Sequence, residues 1–138
     1  MRENIGIFRG KRIDNGEWVE GTGIFSDGIN TWLTFNEPNM PIDFGLRHFR
    51  VDPNTIGECT GLKANGKLIF EGDILKFNYI GKNRGVEGIA AVEYHNGKFG
   101  VLWGWHRDFV PLDGFANTTI EIIGNVTDNP ELLKGGEG

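Results

Sequence analysis

The sequence predicts a mainly β, hairpin-rich protein that ends in one short helical turn. Three observations carry that expectation. Twenty-two glycines are spread through 138 residues between short β-branched and aromatic runs, a pattern of many strands and tight reversals rather than of flexible linkers. Asn-Gly occurs at Asn15-Gly16, Asn65-Gly66 and Asn96-Gly97, and this step supplies the residues best able to take positive φ at both centres of a type I′ turn. The flanking runs alternate, as in Leu75, Phe77 and Tyr79 against Lys76 and Asn78, which is the period of a strand with one buried face.

In chain order, a tip at Asn15-Gly16 sets Ile13 against Trp18 and Lys11 against Glu20, an apolar pair followed by opposite charges. Asp27-Gly28 joins "GIF" to "INTWLTF", with Ile29, Leu33 and Phe35 on one side of the second strand. Residues 36–49 contain Pro38 and Pro41, show no sustained period and read as a loop. Strand signals resume at "TIGECTGL", reverse at Asn65-Gly66 and pass through "LIFEGDILKF". There Gly72 suits a bulge, and Asp73 suits hydrogen bonding to nearby backbone amides where the next strand begins.

After a polar turn at 81–85, a tip at Asn96-Gly97 pairs His95 with Lys98, Tyr94 with Phe99, Val92 with Val101 and Ala90 with Trp103. The last three pairs form one apolar strip, which a slip of one residue would destroy. An aromatic-rich link then leads to the strand "TIEIIGNV". Asp128 or Asn129 suits a helix cap, Pro130 the first helical position, and "PELLK" one turn. The tail "GGEG" is expected to fray.

The length fits a single domain of two small halves, hairpins over about 1–50 and a second half over about 51–133, with a tail at 134–138. Hydrophobic content of 38%, with ten Phe and four Trp, supplies a core without metals or disulfides. A net charge of -5 argues against a dominant electrostatic grip on nucleic acid. Cys59 is the lone cysteine, so no intrachain disulfide forms and a reduced, cytoplasmic setting is expected. The charged N-terminus does not read as a signal peptide, and no apolar run approaches the roughly 20 residues of a membrane-spanning helix. The glycosylation sequons at Asn117 and Asn125 read as chance matches.

Glu71 and Asp73 bracket Gly72 and would share one side of a regular strand. Such a pair can do acid and base work or bind a divalent ion, but spacing supplies no further ligand, and the turn role outweighs the chemical one. "HRDF" at 106–109 imitates the catalytic loop of protein kinases without the phosphate loop or the metal-binding motifs that go with it. His48, His95 and His106 are scattered, and Glu93 with His95 on one strand face falls short of the three or four ligands of a zinc site. Cys59 reads as a small core residue.

No catalytic, metal or cofactor-binding residue is therefore assigned. Asn15, Gly16, Asn65, Gly66, Gly72, Asp73, Asn96 and Gly97 are assigned to structural turns. Trp105, Arg107 and Phe109, near Trp103 and His106, form a candidate interface, since aromatic and Arg side chains anchor such surfaces. Arg9, Lys11 and Arg12, or the Trp105 and Arg107 region, are the residues a nucleic acid would use.

Three blocks, "FRGKRIDNGEWVEG", "VDPNTIGECTGLKANGKLIFEGDILKF" and "EIIGNVTDNPELL", together resemble the YopX protein family of bacteriophages and prophages. The markers are Phe8 to Lys11, Trp18 and Gly21, then Asp52, Pro53, Thr55, Gly57, Thr60, Gly61 and Leu62, followed by Gly66, Glu71 to Ile74, Gly124, Asn125 and Asp128 to Pro130. Two departures stand out: Cys59 where the family usually has an aromatic residue, and an "LKANGK" turn one residue short. The resemblance implies a β-rich pseudo-barrel with an SH3-like second half, encoded by a phage or prophage and working in the bacterial cytoplasm. It brings no enzyme activity or cofactor. The expected function is a non-catalytic accessory scaffold that forms a homo-oligomer and binds a host or phage protein. Nucleic-acid binding is the first alternative, and metal-assisted hydrolysis by Glu71 and Asp73 the second.

Overall fold

The computed structural model describes residues 6–36, 46–80, 85–103, 108–112 and 119–135. Its strands are β1 (Phe8–Arg12), β2 (Trp18–Gly21), β3 (Gly23–Ser26), β4 (Thr31–Asn36), β5 (Leu46–Ala64) and β6 (Lys67–Phe70). They continue with β7 (Asp73–Ile80), β8 (Gly85–Ala91), β9 (Glu93–His95), β10 (Lys98–Trp103), β11 (Asp108–Pro111) and β12 (Thr119–Asn125), and a short helix, α1, spans Glu131–Gly135. The protein is mainly β. Among the described residues no helix is long and apolar enough to cross a membrane. The chain divides into two compact units, Met1–Gly61 and Leu62–Gly138. This division lies beyond the residue-50 boundary expected from sequence because β5 stays hydrogen-bonded to β1 as far as Glu58.

In the first unit the strand order is β2-β1-β5-β4-β3. The first hairpin pairs Lys11 with Trp18 and Arg9 with Glu20, two residues away from the expected register. The turn explains the shift. Gly16 takes positive φ (73°) but Asn15 does not, the Gly16 amide donates to Arg12 O (3.1 Å) and the Arg12 amide to Glu17 O (2.8 Å). The reversal is thus a four-residue loop with an i to i+4 bond, not a type I′ turn. Because the slip is even, no side chain changes face.

The tip between β3 and β4 also moves, onto Gly28 (φ 92°) and Ile29. Asp27 Oδ1 accepts the Ile29 and Asn30 amides at 2.8 and 2.7 Å. These two bonds hold the Asp27 carboxyl below its ordinary range. Ile29, expected beside Leu33 on a strand face, is instead 90% exposed at the tip, whereas Leu33 is fully buried. Residues 46–49, read as loop, are the start of β5 and pair with β4, Phe49 opposite Leu33; the rest of that expected loop, 37–45, and the side chain of Phe35 lie outside the described residues.

Between Arg9 and Lys11 the partner strand β5 jumps from Gly57 to Asp52. Asn54 and Thr55 fill the bulge: the Asn54 amide donates to Asp52 Oδ1 (3.0 Å), the Lys11 amide to Thr55 Oγ1 (2.8 Å), and that hydroxyl to Asp52 O (2.6 Å). The Thr22 amide donates to Thr34 O (2.8 Å), joining the end of β2 to a strand that a flat sheet would hold three positions away, so this sheet curls. Leu33 and Val51 fill the curl, and a Cβ on Gly10 would sit 3.2 Å from each.

The second unit holds two three-stranded antiparallel sheets, β12-β7-β8 and β11-β10-β9, and β6, which pairs back onto β5. Among the described residues they do not close into the expected SH3-like barrel. The core contains Ile69, Leu75, Phe77, Val92, Val101 and Leu112, with Phe77 edge-on to Trp103 at 5.2 Å between centroids. Asn65 and Gly66 (φ 51° and 80°) and Asn96 and Gly97 (φ 50° and 84°) form two-residue tips with both centres at positive φ.

His95 faces Lys98 and Tyr94 faces Phe99, but this ladder ends at Glu93 and Gly100. The expected continuation through Val92 and Val101 to Ala90 and Trp103 does not form. Ala90 pairs with Leu75 in β7 instead, and the Val92 amide donates to Asp73 O (2.8 Å). Val92, Val101 and Ala90 are nevertheless all buried; the apolar strip is kept while its backbone bonds go to another strand. Strand β11, not anticipated from sequence, lies on β10 with Pro111 opposite Gly100. A Cβ on Gly100 would lie 2.7 Å from Phe109 Cζ and 2.9 Å from Pro111 Cα. Gly100→Ala is expected to cost about 1–3 kcal/mol, since main chain must shift to admit the methyl group; a urea transition unchanged from wild type would contradict this packing.

The C-terminal turn is built on asparagines. Asn125 Oδ1 accepts the Thr127 and Asp128 amides (3.0 and 2.8 Å). The Leu132 amide donates to Asn129 O (3.1 Å), so Asn129 occupies the cap position of α1. Its side chain, however, turns back, accepting the Asn125 amide at 3.2 Å.

Candidate functional site

Glu71, Gly72 and Asp73 sit where β6 reverses into β7. Gly72 has φ 92°, a conformation open to glycine and strained for other residues. Its amide donates to Val92 O (3.0 Å), and its carbonyl accepts the Val126 amide (2.8 Å). Asp73 is 2% exposed, and its Oδ2 accepts the amide of Phe70 (2.8 Å). Asp73 also pairs with Asn125 in the β7–β12 ladder. Three segments distant in sequence are therefore fastened at two residues. A carboxylate buried on a backbone donor is suited to holding a turn, and its desolvation is offset by that charge-assisted bond.

Other sequence candidates remain apart. His95 Nε2 lies 3.2 Å from Glu93 Oε1, with both side chains about two-fifths exposed, and the His95 ring tilts against Phe109 at 4.7 Å. Among the described residues no group of three His, Cys, Asp or Glu converges as metal ligands do. Cys59 is fully buried, and its sulfur accepts the Gly61 amide at 3.4 Å. Trp105, His106 and Arg107 lie outside the described residues. Phe109, the third residue of the candidate interface, is half-buried in β11 opposite Leu102.

The cations of β1 do not form one stripe. Strand alternation sends Arg9 and Lys11 to one face and Arg12 to the other. Arg9 faces Glu20 and lies over the Trp18 ring at 4.9 Å. Arg12 lies over Phe49 at 4.9 Å and grips Asp14 through two bonds of 2.9 and 2.6 Å. That grip lowers the Asp14 pKa and raises that of Arg12.

Sequence reasoning passed over a surface at β3. Among the described residues β3 has one strand neighbour, β4, and forms an edge of the first sheet. Ile24 and Phe25 are 47% and 57% exposed, and the Phe25 ring rests on the half-buried Trp32 at 5.5 Å. From Gly21 to Ser26 the chain "GTGIFS" carries no charge, lysine or proline, the devices that ordinarily keep an exposed edge from pairing. That uncharged run was the available signal.

Comparison with known proteins adds three findings. The family model described as YopX protein matches residues 7–134. The crystal structure of protein YopX from Bacillus subtilis is similar in fold, with a TM-score of 0.59 over 96% of this chain and 99% of that one, at 21% identity. A curated relative from Oryza sativa subsp. japonica, described as probable inactive beta-glucosidase 14, is 29% identical over 100 residues; these are 72% of this chain but 19% of the rice protein.

Proposed function

The chain belongs to the YopX protein family, and from that premise we propose that it is a non-catalytic phage or prophage accessory protein, a β scaffold that self-associates and binds a host or phage protein in the bacterial cytoplasm. The observation that carries this reading is the β3 edge, where a strand with one neighbour among the described residues coincides with exposed Ile24 and Phe25. A two-fold copy of the same edge can pair antiparallel with it and continue the sheet, and the absence of charge from Gly21 to Ser26 removes the repulsion that like charges would bring to such a seam. Phe25 and Trp32 add aromatic area beside the seam, the residue class that dominates interface energetics.

The nucleic-acid reading draws on Arg9, Lys11 and Arg12, which the sheet divides between two faces and sets against Glu20 and Asp14. A hydrolytic reading draws on Asp73, whose carboxylate is spent on the Phe70 amide. Both are therefore weaker than the protein-binding one.

Sedimentation at micromolar concentration tests the proposal. Wild-type protein is expected as a dimer or larger, and Phe25→Lys to weaken association at least tenfold, about 1.4 kcal/mol, while the β-sheet circular dichroism spectrum is retained because the side chain is more than half exposed. A monomeric wild type removes self-association, and an unaffected Phe25→Lys oligomer moves the seam elsewhere.

A further inference from the structure

The three Asn-Gly steps are equivalent in sequence and different in structure. We propose that Asn65 and Asn96 are sites of spontaneous deamidation and isoaspartate formation, and that the fold protects Asn15. In this reaction the main-chain nitrogen of the following glycine attacks the asparagine Cγ. A nitrogen–Cγ bond forms, the Cγ–Nδ2 bond breaks, and ammonia departs with the proton given up by the glycine nitrogen. Water then opens the cyclic imide. Addition at Cγ leaves aspartate in the original chain, whereas addition at the main-chain carbonyl leaves isoaspartate, with an extra carbon in the backbone. No oxidant or metal is consumed.

The step requires a glycine N–H not held by an acceptor, a side-chain amide that can turn toward it, and access for water. All three asparagines are exposed, so water does not separate them. Hydrogen bonding does. The Gly16 amide donates to Arg12 O at 3.1 Å, which ties down the attacking nitrogen, and Asn15 Oδ1 accepts the Glu17 amide at 3.0 Å, which holds the group to be attacked.

At the other two tips, among the described residues, neither the Gly66 or Gly97 amide nor the Asn65 or Asn96 side chain is held by a hydrogen bond. A type I′ reversal leaves both central residues outside the ladder. The surroundings are also open: nothing lies within 4 Å of the Cβ position of Gly66, and at Gly97 the nearest atom is Tyr94 Oη at 4.0 Å. The extra carbon of isoaspartate lengthens a two-residue loop whose length sets the register of the flanking strands, so conversion at Asn96 would loosen the His95 and Lys98 pair.

Wild-type protein held in warm, mildly alkaline buffer and mapped by mass spectrometry over time, with fragmentation that separates isoaspartate from aspartate, tests the assignment. Asn65 and Asn96 are expected to lose their amides at least several-fold faster than Asn15 in the folded protein, and the three rates to converge in urea. Equal or faster loss at Asn15 in the folded protein would overturn the proposal, as would conversion of Asn65 and Asn96 only after unfolding.

Discussion

Phe77→Ala is expected to lower the unfolding free energy by about 3–5 kcal/mol, the range for truncating a buried aromatic side chain. Phe77 is 1% exposed at the middle of β7, whose two neighbours in the sheet are β8 and β12. Its ring meets Trp103 edge-on, and the missing side chain of Gly88 makes room for both, since a Cβ there would lie 2.6 Å from Trp103 Nε1. Truncation removes the ring, the aromatic pairing and the contact over Gly88 together. The surrounding strands are fixed by their ladders and cannot collapse fully into the space. Urea denaturation measures the loss, and Phe77→Leu, which keeps most of the volume, should lose clearly less. A small, equal effect of both substitutions would mean that Phe77 does not sit at the centre of the core.

Asp73→Ala is expected to cost about 2–3 kcal/mol, because a hydrogen bond to a charged group is lost and the buried Phe70 amide is left without that acceptor. Asp73→Asn keeps an oxygen in place and should recover a substantial part of the loss. This ordering distinguishes the structural role from the hydrolytic one. A residue that held a metal or activated water could lose its charge with little change in unfolding; a residue that holds the turn cannot be truncated without one. If alanine leaves the urea transition in place, the fastening of β6, β7 and the Val92 link does not depend on this carboxylate.

Much of this arrangement is legible before folding, and the boundary of legibility is instructive. The alternating run from Leu75 to Tyr79 reads as a strand and lies within β7, because its period is a local feature. At Asn65-Gly66 and Asn96-Gly97 the residue pair itself dictates positive φ at both centres. At Asn15-Gly16 the same pair adopts a different loop, since β1 is also paired with β5 through a bulge at Pro53 to Ile56, and a partner so far away leaves no trace in a hairpin's own sequence. Phe25 illustrates the same limit for the candidate surface. It looks like any strand phenylalanine, yet it is 57% exposed on a strand that, among the described residues, ends the sheet.

From its sequence alone this protein is determined to be mainly β, to reverse at particular glycines, to bury Leu75 and Phe77 of β7, and to resemble the YopX family. These properties rest on backbone preferences and side-chain periods that act over a few residues. Only the tertiary structure decides that Ala90 pairs with Leu75 rather than with Trp103, that among the described residues the sheets of the second unit do not close into a barrel, and that Asp73 is spent on the Phe70 amide. In each case several partners satisfy the local pattern equally well. The choice among them is made by which arrangement buries the apolar faces while leaving no backbone group unsatisfied, a condition that exists only once the distant strands have met.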